Sequence, residues 1–125
     1  MIVLVDTSVW IRFLAGREPF ASALDALLDR EEVLAHELVF GELLIGARRS
    51  RSALLASYDA LPQVPSIPHR EVVEFVRGRK LQGRGIGWID AHLLASVVVA
   101  GARVWTADGS LDAIADELRV RHAPS

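Results

Sequence analysis

The chain begins with a run of four apolar residues, Ile2 to Val5, that is followed at once by Asp6. The run does not alternate with polar residues and is too short for a helix, a pattern typical of a strand that is covered on both faces. We therefore predict a central strand of a parallel sheet, with Asp6 at its carboxyl end, the edge where open α/β sheets hold their ligands. Asp6 alone is explained equally well by the start of a helix, for which Thr7 or Ser8 is the predicted N-cap.

Strand patterns and helix patterns alternate along the rest of the chain. Apolar residues spaced three and four apart predict helices at residues 9–14, 19–28, 37–45, 50–61, 69–81, 89–100 and 110–118. Strand-like runs occur at 33–35 and 104–106, and shorter ones near 64–67 and 120. This alternation predicts one α/β domain over residues 1–125, a single α/β/α sandwich around a central, mainly parallel sheet of four to five strands.

The composition excludes several classes of protein. The chain contains no cysteine, which rules out disulfides and thiolate metal sites. Its longest uncharged apolar stretch, Leu93 to Ala102, is far too short to cross a bilayer. Met1 leads directly into the first strand without a basic segment or a cleavage site, so we expect a cytoplasmic protein that is neither secreted nor bound to a membrane.

Two of the predicted helices carry an acid among apolar neighbours. Glu42 has Leu38 and Ile45 at helical spacings of four and three, which places the acid on an apolar face where a lone carboxylate is costly. A functional role is the better explanation for Glu42. Asp90 has Leu94 at the same spacing, and it is explained equally well by a functional role or by the start of a helix.

Two further acids follow the strand pattern that ends at Thr106. Asp108 precedes Gly109, and an Asp-Gly pair by itself is most simply a turn. Asp112 lies in the first turn of the next predicted helix, where the helix dipole accounts for an acid. Neither residue indicates a site when it is considered alone.

Considered together, four acids are expected to converge. Asp6 and Asp108 end strands, whereas Glu42 and Asp90 lie on helices that leave the same edge of a right-handed parallel sheet. At about 6 Å and an effective dielectric of about 20, each pair of carboxylates would repel by about 3 kcal/mol, so a cation or raised pKa values must relieve the repulsion. Oxygen ligands without cysteine or paired histidine favour Mg²⁺ or Mn²⁺ over structural zinc.

Four stretches of the chain resemble the PIN-domain ribonucleases, and most closely the VapC-like toxins of toxin-antitoxin pairs. The stretches are Val5-Asp6-Thr7-Ser8-Val9-Trp10, Glu42-Leu43 with Gly46, Asp90-Ala91-His92-Leu93-Leu94-Ala95, and Thr106-Ala107-Asp108 with Leu111. They occur at the right elements and in the family's order, and the similarity spans essentially the whole chain.

The resemblance implies a PIN-like fold and a metal-dependent endoribonuclease. The catalytic and metal-binding acids that it implies are Asp6, Glu42, Asp90 and Asp108. It also implies polar support from Ser8 and Thr106, and an additional acid, found in some relatives only, at Asp112. The implied partners are an RNA substrate, a cognate antitoxin that covers the active site, and a second copy of the chain in a homodimer.

The residues and the resemblance lead to the same chemistry. Carboxylates would hold one or two Mg²⁺ or Mn²⁺ ions, which activate water and neutralise the charge that builds on the scissile phosphate. Asp6 and Asp90 are predicted to be direct ligands. Glu42 is predicted to bind through water or to position the nucleophile, and Asp108 to complete a second metal position.

The basic residues are concentrated in the middle of the chain, although the net charge is −2. Residues 48–84 carry eight Arg or Lys against three Asp or Glu. The residues predicted to follow the RNA backbone are Arg48, Arg49, Arg77, Arg79, Lys80 and Arg84. A solvated basic surface with no ligand is the simpler alternative, and the sequence leaves it open.

Two other functions are compatible with a small α/β domain. A phosphoacceptor receiver-like domain also places an acid at a strand end, but its chemistry needs a lysine at a strand end, and the one lysine, Lys80, lies in a polar helix. A catalytically silent PIN-fold module would only bind a partner. The presence of all four acids argues against the silent module.

Overall fold

The computed structural model describes residues 2–46 and 52–124, and its centre is a parallel sheet. Strand β1, Val3–Val5, lies between β2, Val33–Leu34, and β3, Arg103–Trp105, and both pairings are parallel. All three side chains of β1 are fully buried, as a strand covered on both faces requires. The predicted central strand and the α/β class are confirmed.

The sheet continues by one isolated parallel bridge beyond each outer strand. Ala35 pairs with Gln63 beside β2, and Val104 pairs with Arg121 beside β3, so five chain segments lie side by side. The runs predicted near 64–67 and 120 therefore appear as bridges and not as full strands. Prolines limit the first of them, because Pro62 and Pro65 have no N–H to donate to a longer ladder.

Seven helices cover the sheet in the described part of the chain, and they match the predicted ones to within a few residues at their ends. They are α1, Thr7–Leu14; α2, Phe20–Asp29; α3, Glu37–Ile45; α4, Ser52–Asp59; α5, His69–Arg79; α6, Trp88–Ala100; and α7, Gly109–Glu117. Helix α6 ends at Gly101, whose φ of +67° turns the chain back towards β3. Among these described helices none is long and apolar enough to span a membrane.

The start of α1 differs from the prediction. The N-cap is Asp6, whose side chain makes no capping hydrogen bond, and Thr7 and Ser8 are already helical. The prediction of Thr7 or Ser8 as the N-cap is therefore wrong. Both hydroxyls are used elsewhere, because each donates a hydrogen bond to a carboxylate: Thr7 to Glu42, and Ser8 to Asp6.

A buried histidine joins the start of α3 to its neighbours. The Nδ1 atom of His36 accepts a hydrogen bond from the backbone N–H of Leu38 at 3.0 Å, so in the neutral ring the proton is on Nε2, which lies 3.1 Å from the Ser96 hydroxyl of α6. Its backbone N–H donates to the Tyr58 hydroxyl at 2.9 Å. Helices α3, α4 and α6 are thus held together through one residue, whose backbone contacts α4 and whose imidazole contacts α6, and burial lowers the pKa of this imidazole.

This histidine should make stability depend on pH. Because the pKa of His36 is lower in the folded state than in the unfolded state, its contribution is complete above the unfolded pKa of about 6.5 and is lost as pH falls. We expect His36→Gln to flatten the decline of the unfolding free energy between pH 7.5 and 5.5, by at most about 1.4 kcal/mol per pH unit. Urea denaturation at several pH values measures this slope.

Tyr58→Phe is the matched control, since it removes a hydrogen bond to the same residue without removing a group that titrates in this range. It should lower stability by a similar amount at every pH. If the unfolding free energies of wild type and His36→Gln changed equally with pH, the His36 imidazole would not be the source of the pH dependence.

Candidate active site

Asp6 lies at the end of β1 and is nearly inaccessible to solvent, with 6% of its surface exposed. Its Oδ2 atom accepts two hydrogen bonds, from the hydroxyl of Ser8 at 2.7 Å and from the hydroxyl of Thr106 at 2.8 Å. Ser8 is in the first turn of α1, and Thr106 directly follows β3. The two residues predicted as polar support therefore both contact the acid at the end of the central strand.

The direction of these hydroxyl bonds is fixed by the backbone. Ser8 Oγ accepts from the N–H of Ala107 at 3.0 Å, and Thr106 Oγ1 accepts from the N–H of Asp108 at 3.0 Å. Because each hydroxyl has a single proton and donates it to Asp6, both bonds stabilise a negative charge there. The result is a rigid carboxylate that joins the ends of β1 and β3.

Glu42 is half-buried on α3, and its Oε1 atom accepts a hydrogen bond from the Thr7 hydroxyl at 2.7 Å. This contact was missed from the sequence, where Thr7 was interpreted only as a helix cap. The apolar face predicted around Glu42 is also wrong at Ile45, which is 89% exposed. The contact with Thr7 nevertheless directs Glu42 towards the start of α1. Thr7 directly follows Asp6 in the sequence.

Asp90 is the third residue of α6, and its Oδ2 atom accepts a hydrogen bond from the N–H of Gly87 at 3.1 Å. Burial raises the pKa of Asp90 above its usual range, against the opposing effect of this hydrogen bond. The negative charges of Asp6, Asp108 and Glu42 each raise the pKa further. The structure thus brings the four predicted acids close enough to interact electrostatically.

Asp108 is the N-cap of α7. Its Oδ2 atom accepts a hydrogen bond from the N–H of Leu111 at 2.9 Å, and the residue is exposed. The sequence left two alternatives for Asp108, a turn residue or a member of the acidic group. In the structure Asp108 is both, because it caps α7 and its charge acts on Asp90. Helix capping uses one carboxylate oxygen and leaves the other.

All four acids use their two carboxylate oxygens in the same way. In each of the four acids one oxygen accepts from a neutral donor, and the other has no hydrogen-bond partner within residues 2–46 and 52–124. Over the same ranges none of the four forms an ion pair, and the described ion pairs involve other acids. Repulsion among these acids is therefore not relieved by the basic side chains that the structure describes.

Free carboxylate oxygens without basic partners fit a hard divalent cation. As the side chains stand, no three His, Cys, Asp or Glu of the described residues are close enough to hold an ion between them. Mg²⁺ does not require such a cage, since proteins usually bind it through one or two carboxylates and leave it several waters. The donor set of this site suits that mode of binding.

Asp112 differs from the four acids in having both of its carboxylate oxygens engaged by a basic side chain. Both of its carboxylate oxygens contact Nε of Arg121, at 2.8 and 2.9 Å. This pair ties the first turn of α7 to the segment that bridges to β3. A supporting role for Asp112 in catalysis stays a prediction, and the contact that the structure shows is a structural one.

Three of the basic residues predicted to contact RNA lie at the C-terminal end of α5. Arg77 and Arg79 are in its last turn, and Lys80 follows as the C-cap in the left-handed conformation. All three are exposed. Since Lys80 ends a helix and not a strand, the receiver-like alternative lacks the lysine that it needs.

Arg84 lies in the loop between α5 and α6 and forms an ion pair with Glu117 of α7. The same loop approaches the first turn of α7, because a Cβ on Gly85 would lie 3.0 Å from the hydroxyl of Ser110. This part of the basic segment is therefore close to the helix that Asp108 caps. The remaining predicted contacts, Arg48 and Arg49, lie outside the described residues.

Comparison with known proteins assigns the chain to a family. Residues 3–117 match the model of the PIN domain, so the chain belongs to the PIN domain family. It is 43% identical over 117 residues to Ribonuclease VapC32 of Mycobacterium tuberculosis, in strain CDC 1551 / Oshkosh and in strain ATCC 25618 / H37Rv. Each alignment covers 93% of this chain and 92% of the relative, which confirms the VapC-like resemblance.

A solved structure supports the fold independently. The crystal structure of PAE2754 from Pyrobaculum aerophilum superposes with a TM-score of 0.58 at 22% identity, over 90% of this chain and 84% of that chain. At this identity the similarity concerns the fold alone. It agrees with the parallel sheet and flanking helices described above.

The acidic group should cost the metal-free protein stability. We expect Asp90→Asn to raise the melting temperature in EDTA at neutral pH by about 3 to 8 °C, which corresponds to about 1 to 2 kcal/mol of relieved repulsion. Asparagine can still accept the hydrogen bond from Gly87, so the start of α6 is preserved. Differential scanning calorimetry measures the change.

Asp112→Asn is the matched control, since it neutralises an acid that has a basic partner. We expect it to lower the melting temperature by no more than a few degrees, because an ion pair that is accessible to solvent contributes little to stability. A lower melting temperature for Asp90→Asn as well would contradict the electrostatic interpretation of the site.

Proposed function

We propose that the chain is a metal-dependent endoribonuclease and the toxin of a toxin-antitoxin pair, acting in the cytoplasm. The observation that carries this proposal is the group of four acids, each with one oxygen engaged by a neutral donor and one left without a partner in the described part of the chain. The similarity to a relative named as a ribonuclease supports RNA as the substrate.

In this proposal Asp6 and Asp90 hold Mg²⁺ or Mn²⁺ directly. Glu42 either binds through water or positions the nucleophile, and Asp108 completes a second metal position. A cation held by these residues would supply an activated water and would neutralise charge on the scissile phosphate. The hydroxyls of Ser8 and Thr106 keep the Asp6 carboxylate in one orientation, since both donate to its Oδ2 atom.

Thr7 has the corresponding role for Glu42. Its hydroxyl donates to Oε1, so the other oxygen of Glu42 stays available to a water molecule. Thr7 directly follows Asp6, and this bond therefore fixes the distance between the end of β1 and the middle of α3. The chain's own contribution to catalysis is this orientation of acids before the substrate binds.

Protein partners are supported by exposed apolar side chains on two neighbouring helices. Ile11 and Leu14 are exposed on α1, and Leu44 and Ile45 are exposed at the end of α3. Exposed apolar clusters of this kind mark surfaces that another protein covers. We assign this surface to the contacts with the antitoxin and with a second copy of the chain.

The direct test is cleavage of RNA by the purified protein. We expect cleavage of single-stranded RNA with Mg²⁺ or Mn²⁺, and no cleavage in excess EDTA, because carboxylates without basic partners depend on the cation. Asp6→Asn should abolish cleavage, since it removes the charge at the most buried acid of the group. Gel analysis of a labelled RNA measures both effects.

Asp25→Asn, at an exposed acid of α2, is the control for a change of charge outside the acidic group, and it should retain most of the activity. Expression of the wild type in bacteria should arrest growth, and Asp6→Asn at equal abundance should not. A folded wild type that leaves RNA intact with either cation would favour the catalytically silent module. Undiminished cleavage in EDTA would overturn the metal dependence.

The basic end of α5 makes a separate prediction about RNA binding. We expect Arg79→Gln combined with Lys80→Gln to reduce the slope of log affinity against log salt concentration by about 1.4, or about 0.7 for each lost phosphate contact with a single strand. Arg30→Gln is the control, since Arg30 pairs with Glu32 before β2, at the opposite edge of the sheet from the acids. Fluorescence anisotropy in EDTA gives the slopes, and an unchanged slope in the double variant would assign these residues to a solvated surface.

A further inference from the structure

A cavity of about 410 Å³ lies between the first turns of three helices and outside the acidic group. Each helix contributes its first residue to the lining: Glu37 from α3, His69 from α5 and Trp88 from α6. His92, one turn after Trp88, also lines it. We call this cavity the aromatic pocket, and its volume is within the range of about 300 to 1,000 Å³ that is usual for ligand sites.

Three rings form one wall of the aromatic pocket. The centroid of Trp88 lies 5.1 Å from that of His69 and 5.0 Å from that of His92. The rings of Trp88 and His92 are nearly perpendicular, at 89°, and Trp88 remains 42% exposed. The indole is therefore held by its neighbours while a large part of its surface is free to contact a ligand.

The aromatic pocket adjoins the acidic group across the first turn of α6. Trp88 and His92 are four residues apart and share one side of the helix, whereas Asp90, two residues from each, lies on the other side. Helix α3 has the same arrangement, with Glu37 in the pocket and Glu42 in the acidic group. A helix with its side chains is about 10 to 12 Å across, a distance that a few nucleotides of a single strand can span.

The lining of the pocket suits a neutral, planar group better than a phosphate. Among the described residues neither Arg nor Lys lines it, and Glu37 adds a carboxylate that repels anions. Aromatic and imidazole rings are the side chains on which unpaired bases of RNA stack.

We propose that the aromatic pocket binds one unpaired nucleobase of the RNA, within a few nucleotides of the phosphate that the acidic group cleaves, by stacking on Trp88. The proposal rests on the proposed function and adds to it a contact with a base. Stacking accepts any base, since each has a π-face, so the pocket places the strand relative to the acids and favours single-stranded over paired RNA.

The test compares two RNA strands that differ only in their bases. Wild type, Trp88→Leu and Trp88→Phe are titrated in EDTA at low ionic strength against a fluorescein-labelled single strand of about 12 nucleotides and an abasic strand of equal length. We expect Trp88→Leu to bind the normal strand about 5- to 150-fold more weakly and the abasic strand as the wild type does. Trp88→Phe, which keeps a ring, should lose less than Trp88→Leu.

Two outcomes would overturn the proposal. Equal affinity of wild type and Trp88→Leu for the normal strand would show that the ring contacts no base, as expected if the pocket binds a protein partner. Equal loss on both strands would assign the effect to the backbone or the fold. His69→Ala, at an exposed ring of the same pocket, provides a second variant should Trp88→Leu fail to fold, and its loss must again be confined to the normal strand.

Cleavage by the wild type separates this proposal from the proposed function. If the wild type cleaves RNA with Mg²⁺ while Trp88→Leu keeps full affinity, the pocket proposal fails and the proposed function stands. If a folded wild type neither cleaves nor binds RNA, both fail.

Discussion

The structure depends on holding a buried carboxylate in place at the end of its central strand. Asp6 is almost fully enclosed, and no basic side chain of the described residues pairs with it. Burying such a charge is costly, and the cost is reduced by two hydroxyl donors whose own oxygens are bound by backbone N–H groups. The ends of β1 and β3 are thereby fixed to each other by the same bonds that orient the acid.

The other acids come from elements that the fold ties together for separate reasons. His36 joins α3 to α6 through Ser96, and these are the helices that carry Glu42 and Asp90. A neutral imidazole does this without adding a positive charge that would pair with the acids. On α3 and α6 the contacts that stabilise the fold are therefore separate from the acids of the proposed site. The hydrogen bonds and packing of the core offset the repulsion among these acids.

The central strand and the position of Asp6 at its end follow from a short-range pattern, whereas Asp90 and Asp108 became candidates only through the expected order of elements in a parallel sheet and the family resemblance. A short continuous apolar run favours a strand covered on both faces, and an acid directly after it then lies at the carboxyl edge of the sheet. Other features depend on contacts between distant residues. Whether Ile45 is exposed depends on which other elements pack against α3. Whether Asp112 pairs with Arg121 depends on how the last segment of the chain returns to the sheet. Neither is encoded by periodicity, so the apolar face around Glu42 was predicted too wide.

In each of the four acids one oxygen accepts a hydrogen bond that belongs to the fold, and in the proposed function the other oxygen is the one that serves the chemistry. At Asp108 one oxygen caps the start of α7 by accepting a hydrogen bond from the N–H of Leu111. The other oxygen has no hydrogen-bond partner among the described residues. An amide at this position would keep the cap and lose the charge, whereas alanine would lose both at once. The fold alone is therefore a sufficient reason to keep an N-cap residue at position 108, whereas only a carboxylate there also keeps the charge that the proposed chemistry uses.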